Sequence, residues 1–338
     1  MLIPFREVMY QWLYDPVKGY YTHNHIGRAG DFYTSVSVSK FFGGAISRYI
    51  LKMLEEGRLK LPLYIVEIGS NNGDLITDIA EFLKAFSEVV FNQSTFCTLE
   101  PLQTLHELQI DTFKYRITAR FKKQLHVYKD MESLQCELPN NIFFVSNELF
   151  DSMPCDIIHN DSMLYLHDNK FVWQPLDSMI CKFKEIYAIQ NAEISLSWET
   201  FIQQLCKLNC EWIFLTFDYG DFTMRELNVR MYKQHRVYNL YEELQGGRLH
   251  GFIGNSDITY DVDFSLLCDI FKVHNITKLC NVTQSKFLIE SCEILDIFDM
   301  FSKQFNDILL TRQKTKLQGL ISPNAMGERF KALCVGKI

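Results

Sequence analysis

The sequence predicts an α/β fold of the Rossmann-like kind, a largely parallel sheet with helices on both faces. Three observations carry that prediction. Tyr64-Ile-Val-Glu-Ile68 is an apolar run of strand length, and Gly69 to Gly73 reads as a tight turn. Leu75, Ile79, Leu83 and Phe86 then recur at helical spacing, completing a strand, a glycine-bounded turn and a helix. Further apolar runs ending on acidic residues alternate with helical patterns downstream, as βαβ units require. No internal repeat and no linker interrupts the chain. We therefore expect an N-terminal helical and loop region, 1–60, closing over the site. A core, 61–338, follows, with insertions near 155–195 and 221–262.

Each element has its own signal. Pro4 suits the first turn of a helix. Phe5, Val8, Met9, Trp12 and Leu13 follow at i, i+3, i+4, i+7 and i+8, and Asp15-Pro16 ends the pattern. A loop containing Lys18-Gly-Tyr-Tyr21 and Gly27-Arg-Ala-Gly-Asp-Phe-Tyr-Thr-Ser35 leads to a second helix, about Ser37 to Glu56. After the strand-turn-helix, Thr95 to Leu99 reads as a strand ending at Glu100-Pro101, and His126 to Tyr128 as a short one ending at Asp130. Asn141 to Ser146 is the next, ending at Asn147-Glu148. From Ile157 to Leu176 the pattern alternates like a hairpin about an Asp168-Asn169 turn. Helix returns near Trp198 to Leu208, and Trp212 to Phe217 is a further strand ending at Asp218-Tyr219-Gly220. The segment Leu240 to Asp263 is rich in loops, and helix and strand elements close the chain.

The bulk numbers narrow the function classes. A chain of 338 residues, 47% hydrophobic and 22% charged, can bury a sizeable core. A net charge of -7 argues against a broad nucleic-acid surface, and neither Lys122-Lys123 nor the cluster Arg312, Lys314, Lys316 is long enough to form one. No apolar run reaches the length of a membrane span, so no membrane insertion is expected. The ten cysteines contain no C-x-x-C. Cys206 and Cys210 lie one helical turn apart without a partner pair, which suits small core residues better than metal ligands, and no metal is expected. Scattered cysteines and the absence of a secretory or transit pattern point to a reducing, cytoplasmic setting.

Ligands of open α/β sheets sit outside the carboxyl ends of the strands. That rule selects Gly69 to Gly73, Glu100, Asp130, Asn147-Glu148 and Asp218. Glu100 is placed to accept hydrogen bonds from both hydroxyls of a ribose, or to stand solvated before Pro101. Asp130 ends the strand beside which an adenine amino group would lie. Glu148, just past a buried strand, can hold a cation by paired hydrogen bonds and accept a proton. The other reading of the acids at 148 and 151 is helix capping, which suits Asp151 better than Glu148.

Seven segments together resemble a known family. They are Asp15-Pro-Val-Lys-Gly-Tyr-Tyr21, Gly30-Asp-Phe-Tyr-Thr-Ser35, Glu67-Ile-Gly69 to Gly73, Asn147-Glu-Leu-Phe-Asp-Ser-Met-Pro154, Asp218-Tyr-Gly220, Asp261-Val-Asp-Phe264 and Met326-Gly-Glu-Arg-Phe330. In this order they resemble the MidA-like and mitochondrial complex I assembly factor family of S-adenosylmethionine-dependent protein arginine methyltransferases. The resemblance implies a seven-stranded methyltransferase sheet with inserted substrate-cap segments and S-adenosyl-L-methionine as donor. It also implies a protein arginine as acceptor, on a core subunit of complex I (NADH dehydrogenase). By it, Glu148 holds the guanidinium and the Asp31-Phe32 loop closes over the site, giving Glu148 and Asp31 as catalytic candidates. Gly69, Asn71, Gly73, Glu100, Asp130, Met131 and Asn147 are the cofactor-binding candidates. A protein substrate is the partner it implies; a homodimer is a separate expectation that the resemblance does not supply.

Two positions depart from the family pattern. Asn71 replaces the central glycine of the turn. If the position needs a positive φ, Asn serves; if it needs the absence of a Cβ, the cofactor site is weakened. Val36-Ser37 stands where the family has P-E, which removes a loop carboxylate. Asn71 motivates the alternative of an assembly chaperone without catalysis. The insertions after Glu148 and Gly220 would equally suit a small-molecule methyltransferase. An NAD-dependent oxidoreductase ranks last, because the glycine pattern is wrong for a dinucleotide fingerprint.

Overall fold

The computed structural model describes residues 1–23, 35–137, 140–223 and 227–338. The chain divides into two compact units. The sheet unit holds 35–149, less the undescribed 138–139, with 207–218 and 276–338. The second unit holds 1–23, 150–206 and 219–275, less the undescribed 224–226. Residues 1–23 thus belong to the second unit and 35–60 to the sheet unit.

In the sheet unit, the strands are β1 (Leu63–Ile68), β2 (Ser94–Leu99), β3 (Leu125–Tyr128), β4 (Asn141–Asn147), β5 (Glu211–Asp221), β6 (Thr277–Thr283) and β7 (Phe330–Lys337). Their order is β3-β2-β1-β4-β5-β7-β6. The first five run parallel, and β6 pairs with β7 antiparallel, so the sheet is mixed. The order reverses between β1 and β4, which is where a doubly wound sheet opens a crevice. The last residues of β5 lie in the second unit, where Gly220-Asp221 pair with the two-residue strand Val262–Asp263. Counting that strand, the sheet has eight strands, one more than the family resemblance implies.

Alternation along the strands explains why both faces are covered. Ile65, Phe96, Phe143, Val145, Leu215 and Phe217 point into a core shared with the helices Phe41–Glu55, Asp74–Phe86 and Ile294–Ser302. Val66, Cys97, Phe144, Trp212 and Phe214 are equally buried on the other face. The helix expected from Ser37 to Glu56 is two helices, Ser35–Val38 and Phe41–Glu55. Between them the Ser39 hydroxyl accepts from Phe41 N–H at 3.3 Å, a local bond that competes with helix continuation.

In the second unit, the helix Phe5–Tyr14 buries Phe5, Val8, Met9, Trp12 and Leu13, the five residues its spacing selects. Trp12 Nε1 donates to Ser256 O at 2.7 Å, and Arg6 bonds both Asp156 (2.6 Å) and Asp177 (2.7 Å). A five-stranded sheet contains the expected hairpin, Ser162–His167 with Lys170–Pro175. Its turn residues Asp168 and Asn169 have φ of 48° and 59°, the paired positive values of a type I′ turn. Among the described residues no helix is long and apolar enough to cross a membrane.

Candidate active site

Hydrogen-bond register lines up the strand ends. Ile68 pairs with both Leu99 and Ser146, Leu99 with Tyr128, and Phe217 with Asn147. The ladder continues one step beyond: Gly69 N–H donates to Leu99 O at 3.1 Å, Glu100 N–H to Tyr128 O at 2.9 Å, and Glu148 N–H to Phe217 O at 2.8 Å. Gly69, Glu100, Asn147 and Glu148 therefore leave the sheet along one carboxyl edge, β1 and β4 being immediate neighbours.

The turn after β1 is left-handed at three positions: Gly69 (φ 71°), Asn71 (48°) and Gly73 (78°). Asn71 thus occupies a positive-φ site, the conformation in which Asn best replaces Gly. Among the described residues, a Cβ built on Gly69 would meet only Leu149 Cδ1, at 3.5 Å, so they leave the backbone there open. Behind the turn, Gln109 ties the pieces together. Its Nε2 donates to Asn71 O (2.9 Å) and Glu100 Oε2 (3.4 Å), while its Oε1 accepts from Thr98 Oγ1 (2.7 Å). Gln109 is fully buried and went unmarked in the sequence, where a polar residue on a helix reads as surface.

Two carboxyls here are shifted by burial. Glu100 is 4% exposed, and desolvation pushes its carboxyl up to about 7 against the pull of bonds from Leu102 N–H (3.0 Å) and Gln109. Glu67 Oε2 accepts from Ile76 N–H at 2.9 Å, in the first turn of the helix that follows, and burial pushes its carboxyl up to about 8.

Glu148 is a non-glycine residue at φ 55°. Its carboxylate Oε1 accepts from Asn147 Nδ2 at 2.8 Å. Asp218, expected at a strand end, lies fully buried inside β5, which runs on to Asp221; it accepts from Leu149 N–H at 3.1 Å and so fixes the far side of the Glu148 turn. Asp130 is exposed, caps the helix Met131–Gln135 in a reciprocal box with Ser133, and backbone bonds lower its carboxyl. Met131 beside it is buried. Asp31 lies outside the described residues.

Asp151, read from the sequence as a helix cap, caps no helix. It is buried in the second unit and accepts from Tyr219 Oη, and burial pushes its carboxyl up to about 6. Arg230 stands 5.2 Å over the Tyr219 ring and pairs with Asp261. Three of the sequence motifs therefore meet within this unit through Asp151, Tyr219 and Asp261. Gly220 belongs to the same group: a Cβ there would lie 2.0 Å from Val262 O, so only glycine allows that pairing.

Comparison with known proteins fits this arrangement. Residues 45–281 match the model of a family of S-adenosyl-L-methionine-dependent methyltransferases. The chain is 26% identical to the Xenopus laevis protein arginine methyltransferase NDUFAF7, mitochondrial, over 98% of this chain and 80% of that protein. It is 24% identical to the Drosophila melanogaster homolog over 98% and 81%. A COG1565 superfamily member from Burkholderia thailandensis, solved with S-adenosyl-homocysteine, superposes with a TM-score of 0.80 at 19% identity, covering 99% of this chain and 88% of that one. The fold is shared with that structure. The relatives' names overturn the cytoplasmic setting expected from the sequence, since those spanning the chain are named as mitochondrial proteins. Cysteine spacing carries too little information to fix a compartment.

Proposed function

The chain belongs to the S-adenosyl-L-methionine-dependent methyltransferase family, and from that premise we propose that it methylates an arginine of a protein substrate. The supporting observation is the pairing of β1 with β4, whose carboxyl ends lead into the open glycine turn and into Glu148. The curated relatives are named protein arginine methyltransferases over nearly the whole chain. The acceptor we favour is a core subunit of respiratory complex I, as the family resemblance implies, in the mitochondrion.

S-adenosyl-L-methionine is the cofactor, and when bound it supplies an electrophilic methyl group. The residues present fit it. Gly69 leaves bare backbone, Asn71 keeps the turn left-handed, and Glu100 offers a buried carboxylate to a ribose. Gly73 completes the turn at the start of the helix Asp74–Phe86, while Asp130 and Met131 would border the adenine when the cofactor is bound. Glu148 holds the guanidinium and takes the proton that must leave its attacking nitrogen. Positioning dominates, since a sulfonium donor needs little acid–base help.

The test is purified protein with labelled donor and peptides from candidate complex I subunits, read by mass spectrometry. Label on arginine is expected. Intact donor binding with no labelled arginine defeats the acceptor assignment. Labelling of a small molecule alone would favour the small-molecule reading. No S-adenosylhomocysteine binding at all would favour the non-catalytic chaperone that Asn71 first suggested.

A further inference from the structure

Asn147 carries a buried acceptor that no described residue satisfies. Its Nδ2 donates to Glu148 Oε1 at 2.8 Å, yet its Oδ1 is buried and has no hydrogen-bond partner among the described residues. A buried acceptor left unmade is unfavourable, and a ligand bound at this strand end can supply the donor. Backbone geometry explains the pairing. Successive side chains of a strand point to opposite faces, so neighbours at 147 and 148 do not ordinarily meet. The left-handed φ of 55° at Glu148 breaks that alternation and turns both side chains to one side. Bonds from Glu148 N–H to Phe217 O and from Leu149 N–H to Asp218 hold the turn in place.

We propose that Asn147 is the second arm of the acceptor clamp and the source of its preference for guanidinium over ammonium. This deepens the arginine reading and rests on it. Asn147 Oδ1 accepts one N–H of the guanidinium, and Glu148, oriented by Asn147 Nδ2, accepts another. A planar fork of donors satisfies two acceptors on adjacent residues, which a single ammonium does with poorer geometry. The amide stays neutral, so proton removal remains with Glu148.

The test titrates agmatine, a guanidinium probe, and putrescine, its ammonium counterpart, into protein saturated with S-adenosylhomocysteine. Wild type, Asn147→Ala and Asn147→Asp are compared by calorimetry. Wild type is expected to prefer agmatine by about tenfold, the scale of one charge-assisted hydrogen bond. Asn147→Ala is expected to abolish the preference, read at saturating S-adenosylhomocysteine so that a change in cofactor affinity cancels between the two probes. Asn147→Asp keeps the acceptor oxygen but sets a second carboxylate beside Glu148. Agmatine binding should survive there, with its half-maximal pH raised by about one unit. Asn147→Ala that keeps the preference overturns the clamp and leaves the arginine reading standing. Wild type that binds no agmatine overturns both. If Asn147→Ala fails to fold, an unshifted pH profile in Asn147→Asp overturns the clamp on its own.

Discussion

Glu100 and Glu67 are both buried acids behind the same turn, and their contacts give them different tasks. Glu100 ends β2 with its carboxyl raised to about 7. Ribose hydroxyls donating to it would favour the ionised form, so ligand binding pulls that value down. S-adenosylhomocysteine affinity should therefore rise with pH through 7, by about tenfold for each unit of pKa lowered, and lie flat in Glu100→Gln. Calorimetry from pH 6 to 8 checks this, and a flat wild-type profile contradicts it. Glu67 instead serves the fold. Its carboxyl is raised from 4.5 to about 8. Between those values the folded state keeps a proton that the unfolded chain releases, so stability present at low pH declines as pH rises toward 8. Glu67→Gln keeps the acceptor for Ile76 N–H and cannot ionise. It should match wild type near pH 5 and exceed it above pH 8, the gap widening by up to about 1.4 kcal/mol per pH unit. Parallel denaturation curves for the two proteins would contradict this. At this scale Asn71 was legible, because few residues tolerate a left-handed turn. Gln109 was not, because its burial depends on where the helix Gln103–Phe113 lands against the end of β2.

Elements with a strong period were legible in the sequence. The helices Phe5–Tyr14 and Asp74–Phe86 and the hairpin about Asp168-Asn169 all followed from spacing and turn chemistry. The break at Ser39-Lys40 was not legible, because apolar residues continue on both sides of it. Close packing was equally hidden. A Cβ on Gly43, in the helix Phe41–Glu55, would lie 2.5 Å from Asp78 Cβ in the helix Asp74–Phe86. Gly43→Ala should therefore push these helices apart and destabilise the sheet unit by about 1–3 kcal/mol. Gly319→Ala, whose Cβ would sit 3.4 Å from Val38 Cγ1, serves as the control and should change stability far less. Urea midpoints decide, and equal shifts for the two variants would remove the packing explanation.

For the whole molecule, ligand linkage separates a working donor site from a scaffold that has lost one. S-adenosylhomocysteine at about a hundred times its Kd should stabilise the folded protein by about 2.7 kcal/mol, read as a raised melting temperature. Glu100→Gln should lose most of that gain at pH 8. A melting temperature indifferent to the ligand would return the chaperone reading. The sequence by itself determined the α/β class, the order of glycine turn and strand-end acids, and the family. Those depend on local periodicity and on short motifs that survive without knowledge of contacts. Tertiary structure alone decided which acids share an edge, through the pairings of Ile68 with Leu99 and Ser146. It also moved Asp151 from a helix cap to a buried partner of Tyr219 and left Asn147 Oδ1 buried without a partner among the described residues. Register and burial arise from segments far apart in the chain, and no local pattern encodes them.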